Sequence, residues 1–382
     1  MADSTPDSSR QDMLSLFIRY VDENFNPVER FIGIDETIGK TGELLSNQIL
    51  SILEESGLDQ LKLISQSYDY TANMSGQFKG VQNLITTKLN PNIIYIPCAS
   101  HRSNTAVKHS CDESVDIITL FGKLQKIEKN NVDAETRQEA KSILKNMQCY
   151  SFILYLIFMK NVLAMTNALT CELQTESLNI ISSIEVIDKT CSLLTTERNS
   201  DRNLRNIILL SDKVAEEHSI DTTEEFKTKH RPRRPPRKIG DNPHTTHVFT
   251  RAVFDRLITE YRELISNLIK NLRSVGKLSP NYIIHIDLND AKAICEGEKI
   301  DDPNLLLTEC QLYADDIKNY DNITAAGKFI AERKTLLPCL YQAFRYFLTF
   351  PVTVASNERE FNKLKIIKNR LRSTMGDERL KQ

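Results

Sequence analysis

The chain has 382 residues, 26 % of them charged and 40 % apolar, with a net charge of −2. That length suits two or three globular units of roughly 100–200 residues each, and the balanced charge excludes any global pull toward nucleic acid or a membrane surface, so such affinity has to come from local patches. Eight scattered cysteines without framework spacing, and a start of "MADSTPDSSRQD" with no apolar secretory region, point to reduced thiols in an intracellular protein.

The first 111 residues read as α/β. "MLSLFIRYVD" (13–22) and "VERFIGIDE" (28–36) are strand-like runs joined by the turn-rich "ENFNP", which predicts a hairpin. "TGELLSNQILSILEESGL" (41–58) repeats its apolar positions at helical spacing, with Thr41 placed to cap it. A strand-like "LKLIS" then runs toward Asp69, followed by a helix over 78–89 and a buried strand in "NIIYIPCAS" (92–100). Together these predict a layered α/β unit with a mixed sheet.

From 112 to 275 the pattern is helical, with helices expected over 134–148, 152–173 and 248–272. The longest apolar run, "FILYLIFM" (152–159), ends at Lys160. It falls short of the roughly 20 residues a bilayer needs, so it reads as a buried helix and no membrane partner is expected. Within this region "KTKHRPRRPPRKIG" (227–240) holds seven Lys or Arg, three prolines and no acid, the composition of an exposed linker. Its Arg231, Arg233 and Arg234 could equally serve nuclear import or phosphate contact, the latter without base stacking because no aromatic residue interleaves. From 276 to 382 a strand-like "PNYIIHIDL" precedes a helical close.

Two constellations carry chemistry. Asp69 stands where a strand gives way to a helix, so it is either a turn or capping residue or a carboxylate at the mouth of an α/β crevice, where metal ligands gather. Cys98, His101, His109 and Cys111 form C-x₂-H-x₇-H-x-C, which allows zinc but matches no common finger and reads as well as a buried Cys and a partly satisfied His. Near the end, Phe361, Leu364, Ile367 and Leu371 recur at helical spacing among cations, and the preceding "CLYQAFRYFLTF" is rich in aromatic residues. Both suit a core or a partner interface.

"SYDYTANMSGQFKGVQ", "NIIYIPCASHRSN" and "FPVTVASNEREFNKLKIIKNRLRSTMGDERL" resemble, in order, blocks of the hAT-superfamily transposases. The nearest branch is the one holding MYM-type zinc-finger and THAP-related transposase-derived proteins. The resemblance implies an RNase H-like sheet interrupted by a long all-α insertion and closed by C-terminal helices. It implies an Asp-Asp-Glu triad at Asp3, Asp69 and Glu358 that would hold Mg²⁺ for phosphodiester chemistry. It also implies a DNA-end pocket near Cys98, His101 and Arg102, and a C-terminal dimerisation region in which Tyr341, Phe344, Phe347, Phe361 and Leu364 would meet a second copy or another hAT-like protein. A nuclear location is the expectation, with the basic segment as the candidate import signal.

Three departures from the family pattern are visible. The chain starts two residues before Asp3, so the central strand is expected to be mostly missing, leaving a slot with unpaired ladder groups. There is no tryptophan, and "LFGKLQKI" passes straight into "EKNNVDAETRQEA" as though a segment were deleted. No zinc-finger module is expected ahead of the core. The expectation is a truncated transposase derivative that has lost catalysis and acts by C-terminal dimerisation with residual DNA binding; the alternative is an active Mg-dependent transposase.

Overall fold

The computed structural model describes residues 1–6, 11–69, 71–113, 117–122, 124, 147–175, 178–220 and 246–367. It is a helix-rich mixed α/β chain that divides into two compact units. One comprises Met1–Arg102, Cys171–Val186 and Leu264–Gln382; the other comprises Ser103–Thr170 and Ile187–Glu263.

The first unit is built on strands β1 (Ala2–Pro6), β2 (Asp12–Val21) and β3 (Pro27–Glu36), paired antiparallel in the order β1-β2-β3. The β2–β3 hairpin follows the alternation in the sequence closely. At its tip Asn26 donates its backbone N–H to the Asp22 carboxylate at 2.7 Å. Phe25 takes a positive φ of 62° there, a conformation unfavourable for a bulky residue. It is held by burial: its ring fits against Gly327, where an added Cβ would meet the ring at 2.4 Å, and lies 5.5 Å from Tyr341.

β4 (Ser65–Gln66) and β5 (Ile94–Tyr95) form a short parallel pair. Backbone bonds from Ile96 to Gln66 and from Cys98 to Tyr68 extend it, and the Ala2 N–H donates to the Ser67 carbonyl at 3.1 Å, laying β1 alongside β4. The strand expected to be mostly missing is therefore present over five residues and paired with β2 from Ala2↔Leu16 to Pro6↔Asp12. A cleft of about 450 Å³ lies between the far end of β2 and the segment before β4, lined by Ile18, Tyr20, Leu58, Leu63 and Ile64 among others.

Helices α1 (Gly42–Glu55), α2 (Ala72–Ser75) and α3 (Val81–Lys88) follow the hairpin and β4. Thr41 caps α1 by accepting the Leu44 N–H, as its position predicts. Leu45, Ile49 and Leu53 of α1 and Val81 and Ile85 of α3 close over Ala2, Leu14, Leu16 and Tyr68 on one sheet face. Each fully buried aliphatic side chain there contributes roughly 1.5–3 kcal/mol.

Helix α4 (Ala99–Asp112) leads into the long helices α5 (Tyr150–Leu173), α6 (Ile180–Asn199), α7 (Asp201–Glu217) and α8 (Thr246–Leu272). The second unit holds helices joined by short turns and no strand among its described residues. Phe158 meets Phe254 edge-on at 5.6 Å, Arg198 grips Asp255 with two bonds of 2.7 and 2.9 Å, and the Tyr150 hydroxyl donates to Asp212 at 2.6 Å. α5 is long and apolar enough, by length and composition, to cross a membrane. The apolar run that seemed too short continues beyond Lys160, and Phe152, Leu154, Phe158 and Val162 are buried within the chain.

The chain closes with α9 (Leu288–Glu298), α10 (Pro303–Ile317), α11 (Ile323–Ala331), α12 (Pro338–Thr349) and α13 (Ala355–Ile367), all in the first unit. Two expectations are corrected. "PNYIIHIDL" is not a strand: a 3₁₀ turn spans Ile283–His285, and Asp287 starts α9 through a capping box with Asp290. The strand toward Asp69 is only two residues long, because Asp59 caps a 3₁₀ turn over Gln60–Lys62 that takes the first two residues of "LKLIS". Residues 134–146 of the expected 134–148 helix and the basic segment 227–240 lie outside the described residues.

Candidate functional site

Side chains alternate across a strand, and that rule builds the site. Ala2, Leu14, Leu16 and Tyr68 belong to the apolar core on one face. Their neighbours Asp3, Ser15, Ser67 and Asp69 therefore project to the other face, and Asp3 pairs in register with Ser15. α13 covers that face, packing Phe361 against Met13 and Ile34. Its first turn brings Asn357, whose amide donates to the Ser15 carbonyl at 2.7 Å and hydroxyl at 3.0 Å, and Glu358.

The three carboxylates feel one another. Asp3, 9 % exposed, has its pKa pushed up to about 7, chiefly by burial and then by the charges of Asp69 and Glu358. Glu358 is also raised by burial, opposed by the nearby charge of His101 and by Gln174, which donates to its Oε2 at 3.1 Å. Asp69 is buried, and its Oδ1 accepts the Thr71 hydroxyl at 2.8 Å and the Thr71 N–H at 3.3 Å. It thus performs the local turn role that its position allowed.

Mg²⁺ requires near-octahedral oxygen ligands at about 2.0–2.1 Å. The donors are of the right kind: three carboxylates, with Ser67 Oγ and Asn357 Oδ1 buried on the same face without a hydrogen-bond partner among the described atoms. Their placement does not suit the ion. Among the described residues no three His, Cys, Asp or Glu side chains converge to hold a metal, and Asp69 and Glu358 each commit an oxygen to a protein donor.

The Cys and His residues have other work. Cys98 is 1 % exposed, and burial pushes its thiol up to about 12. Its Sγ accepts N–H bonds from His101 at 3.4 Å and Val354 at 3.3 Å, tying the end of the β5 segment to the start of the C-terminal block. His101 is half-buried and Arg102 buried. His109 Nδ1 lies 3.0 Å from Glu260 Oε1, and Cys111 is buried. Arg231, Arg233 and Arg234 lie outside the described residues.

The expected interface anchors divide differently from the expectation. Phe344, Phe347 and Phe361 are at most 4 % exposed and pack in the core under α12 and α13. Tyr341 is half-buried against Phe25, and the side chain of Leu364 is outside the described residues. Sequence reasoning missed Ser15, Ser67, Gln174 and Asn357. The one available signal was Ser15, a small polar residue on the apolar alternation of "MLSLFI".

Comparison with known families agrees with both ends of this architecture. Residues 1–80 match a domain described as "ZMYM1/FAM200, RNase-like domain", and residues 307–382 match the hAT family C-terminal dimerisation region. With an RNase-like domain match at one end and a hAT dimerisation-region match at the other, the chain is similar to hAT transposase-derived proteins at both ends.

Proposed function

We propose that this chain acts by association through its C-terminal region and that DNA cleavage has been lost. The carrying observation is the match of residues 307–382 to the hAT dimerisation region, joined to a carboxylate face whose members do not converge on a metal. The first unit is RNase H-like in this reading. Support comes from the strand order β3-β2-β1, continued by the Ala2–Ser67 bond to β4-β5, with α1 and α3 on one face and α13 with Glu358 on the other. The partner is a second copy or another hAT-like chain. The basic segment 227–240 supplies residual, salt-sensitive phosphate affinity and a nuclear address.

One observation favours the second reading, an active Mg-dependent nuclease: Asp3 is raised partly by the charges of Asp69 and Glu358, so the three lie within electrostatic reach of each other. Two assays on the full chain separate the readings. Light scattering across micromolar concentrations should show association, and hairpin or nicked DNA with Mg²⁺ or Mn²⁺ should stay uncut. Cleavage that Asp69→Asn and Glu358→Gln abolish would overturn the proposal in favour of the nuclease.

A further inference from the structure

A second cleft of the first unit, about 600 Å³, opens where the far end of β2 faces the last turns of α9 and α12. That volume suits a small-molecule ligand. Tyr346 lines it, 2 % exposed, with its ring edge-on to Phe350 at 4.8 Å. The Tyr346 hydroxyl makes no hydrogen bond among the described residues. It reaches α9 at Gly297, where an added Cβ would strike it. Glycine weakens a helix interior, and here it clears room for a polar group that then goes unpaired. Buried hydroxyls are ordinarily hydrogen-bonded, so this one points to a ligand.

Cations gather at the same cleft. Arg345 lines it and donates from Nη2 to the Val21 carbonyl at 3.4 Å. Lys299, at the end of α9, takes a positive φ of 61°, a conformation that favours glycine. Neither forms an ion pair among the described residues, whereas Arg19 is taken up by Glu29 at 2.8 Å. Lys62 is exposed and only loosely paired with Asp59, at 3.9 Å. The one acid in the lining is Glu298. Burial pushes its carboxyl up to about 7 against the nearby charge of Arg345, so at neutral pH it opposes an anion only in part. Surplus positive charge beside an unpaired phenol donor suits phosphate: arginine meets its oxygens with paired donors, and lysine adds a point charge. Tyr20 and Leu61, 37 % and 66 % exposed, offer apolar area next to it. We infer that this cleft binds a small phosphate ester, its phosphate on Arg345, Lys299 and the Tyr346 hydroxyl and its body against Tyr20 and Leu61. The inference is independent of the association reading above.

The test is calorimetric titration of the full chain with adenosine 5′-monophosphate. The wild type should bind it saturably, with a dissociation constant below about 1 mM. Inorganic phosphate should compete and adenosine should not. Arg345→Gln should weaken binding at least about tenfold. Tyr346→Phe keeps the buried ring and should weaken it about fivefold. Lys299→Gly removes a cation and an unfavourable φ together, so it should bind less well while melting no lower than the wild type. No saturable heat from the wild type up to about 10 mM would overturn the inference. Binding that none of the three substitutions weakens, or that adenosine matches, would overturn it too. Displacement of the nucleotide by duplex DNA would overturn the small-molecule assignment.

Discussion

The two faces of the β1–β2 sheet differ in almost every physical respect. Toward α1 and α3 the strands present Ala2, Leu14, Leu16 and Tyr68, and the covering side chains are apolar. Toward α13 the same strands present Asp3 and Ser15, beside Ser67 and Asp69 of the segment after β4, met by Asn357 and Glu358. Two oxygens on that face, Ser67 Oγ and Asn357 Oδ1, have no partner among the described atoms. One face therefore supplies stability, and the other consumes it, since buried polar groups cost unless paired.

Substitutions on the two faces should break the comparison if it is wrong. The largest expected loss is on the apolar side: Leu14→Ala, at a fully buried position, should destabilise by about 2–5 kcal/mol in chemical denaturation. Next in size is a gain on the polar side. Asp3 titrates near 7 in the folded chain against an ordinary value of 3.8, so between those pH values the folded state binds more protons than the unfolded one. Its contribution is full below about pH 4 and is lost as pH rises to 7. Asp3→Asn should remove that slope and raise stability at pH 8 by roughly 2–4 kcal/mol, read from denaturation midpoints across pH. A variant without gain at pH 8 would mean the acidic face is compensated. The smallest effect belongs to Asn357→Ala, which deprives Ser15 of both its bonds and should cost about 1–3 kcal/mol in the same assay.

Local rules read much of the fold directly. Alternation placed the β2–β3 hairpin, and helical spacing with Thr41 placed α1. β1 was not legible from pattern, because "ADSTP" has no strand texture and owes its conformation to β2 and Ser67. "YIIHI" misled because a short apolar run does not distinguish a strand from a buried turn, and the Asp287–Asp290 capping signal decided it. The aromatic residues of α12 misled for a related reason: core and interface want the same side chains, and only packing showed that Phe344 and Phe347 face inward. Resemblance, rather than composition, put Asp3, Asp69 and Glu358 together, and the structure gives them a common face. It also shows what resemblance could not, that Thr71 and Gln174 each bond one oxygen of two of the carboxylates.

The most direct test of that contrast is calorimetric titration of the full chain with Mn²⁺, alongside Asp69→Asn and Glu358→Gln. If the polar face is a site that no longer holds metal, the three proteins should give the same small, unsaturating heats. Saturable binding by the wild type that both substitutions abolish would show the three carboxylates closing on an ion, and would contradict the account.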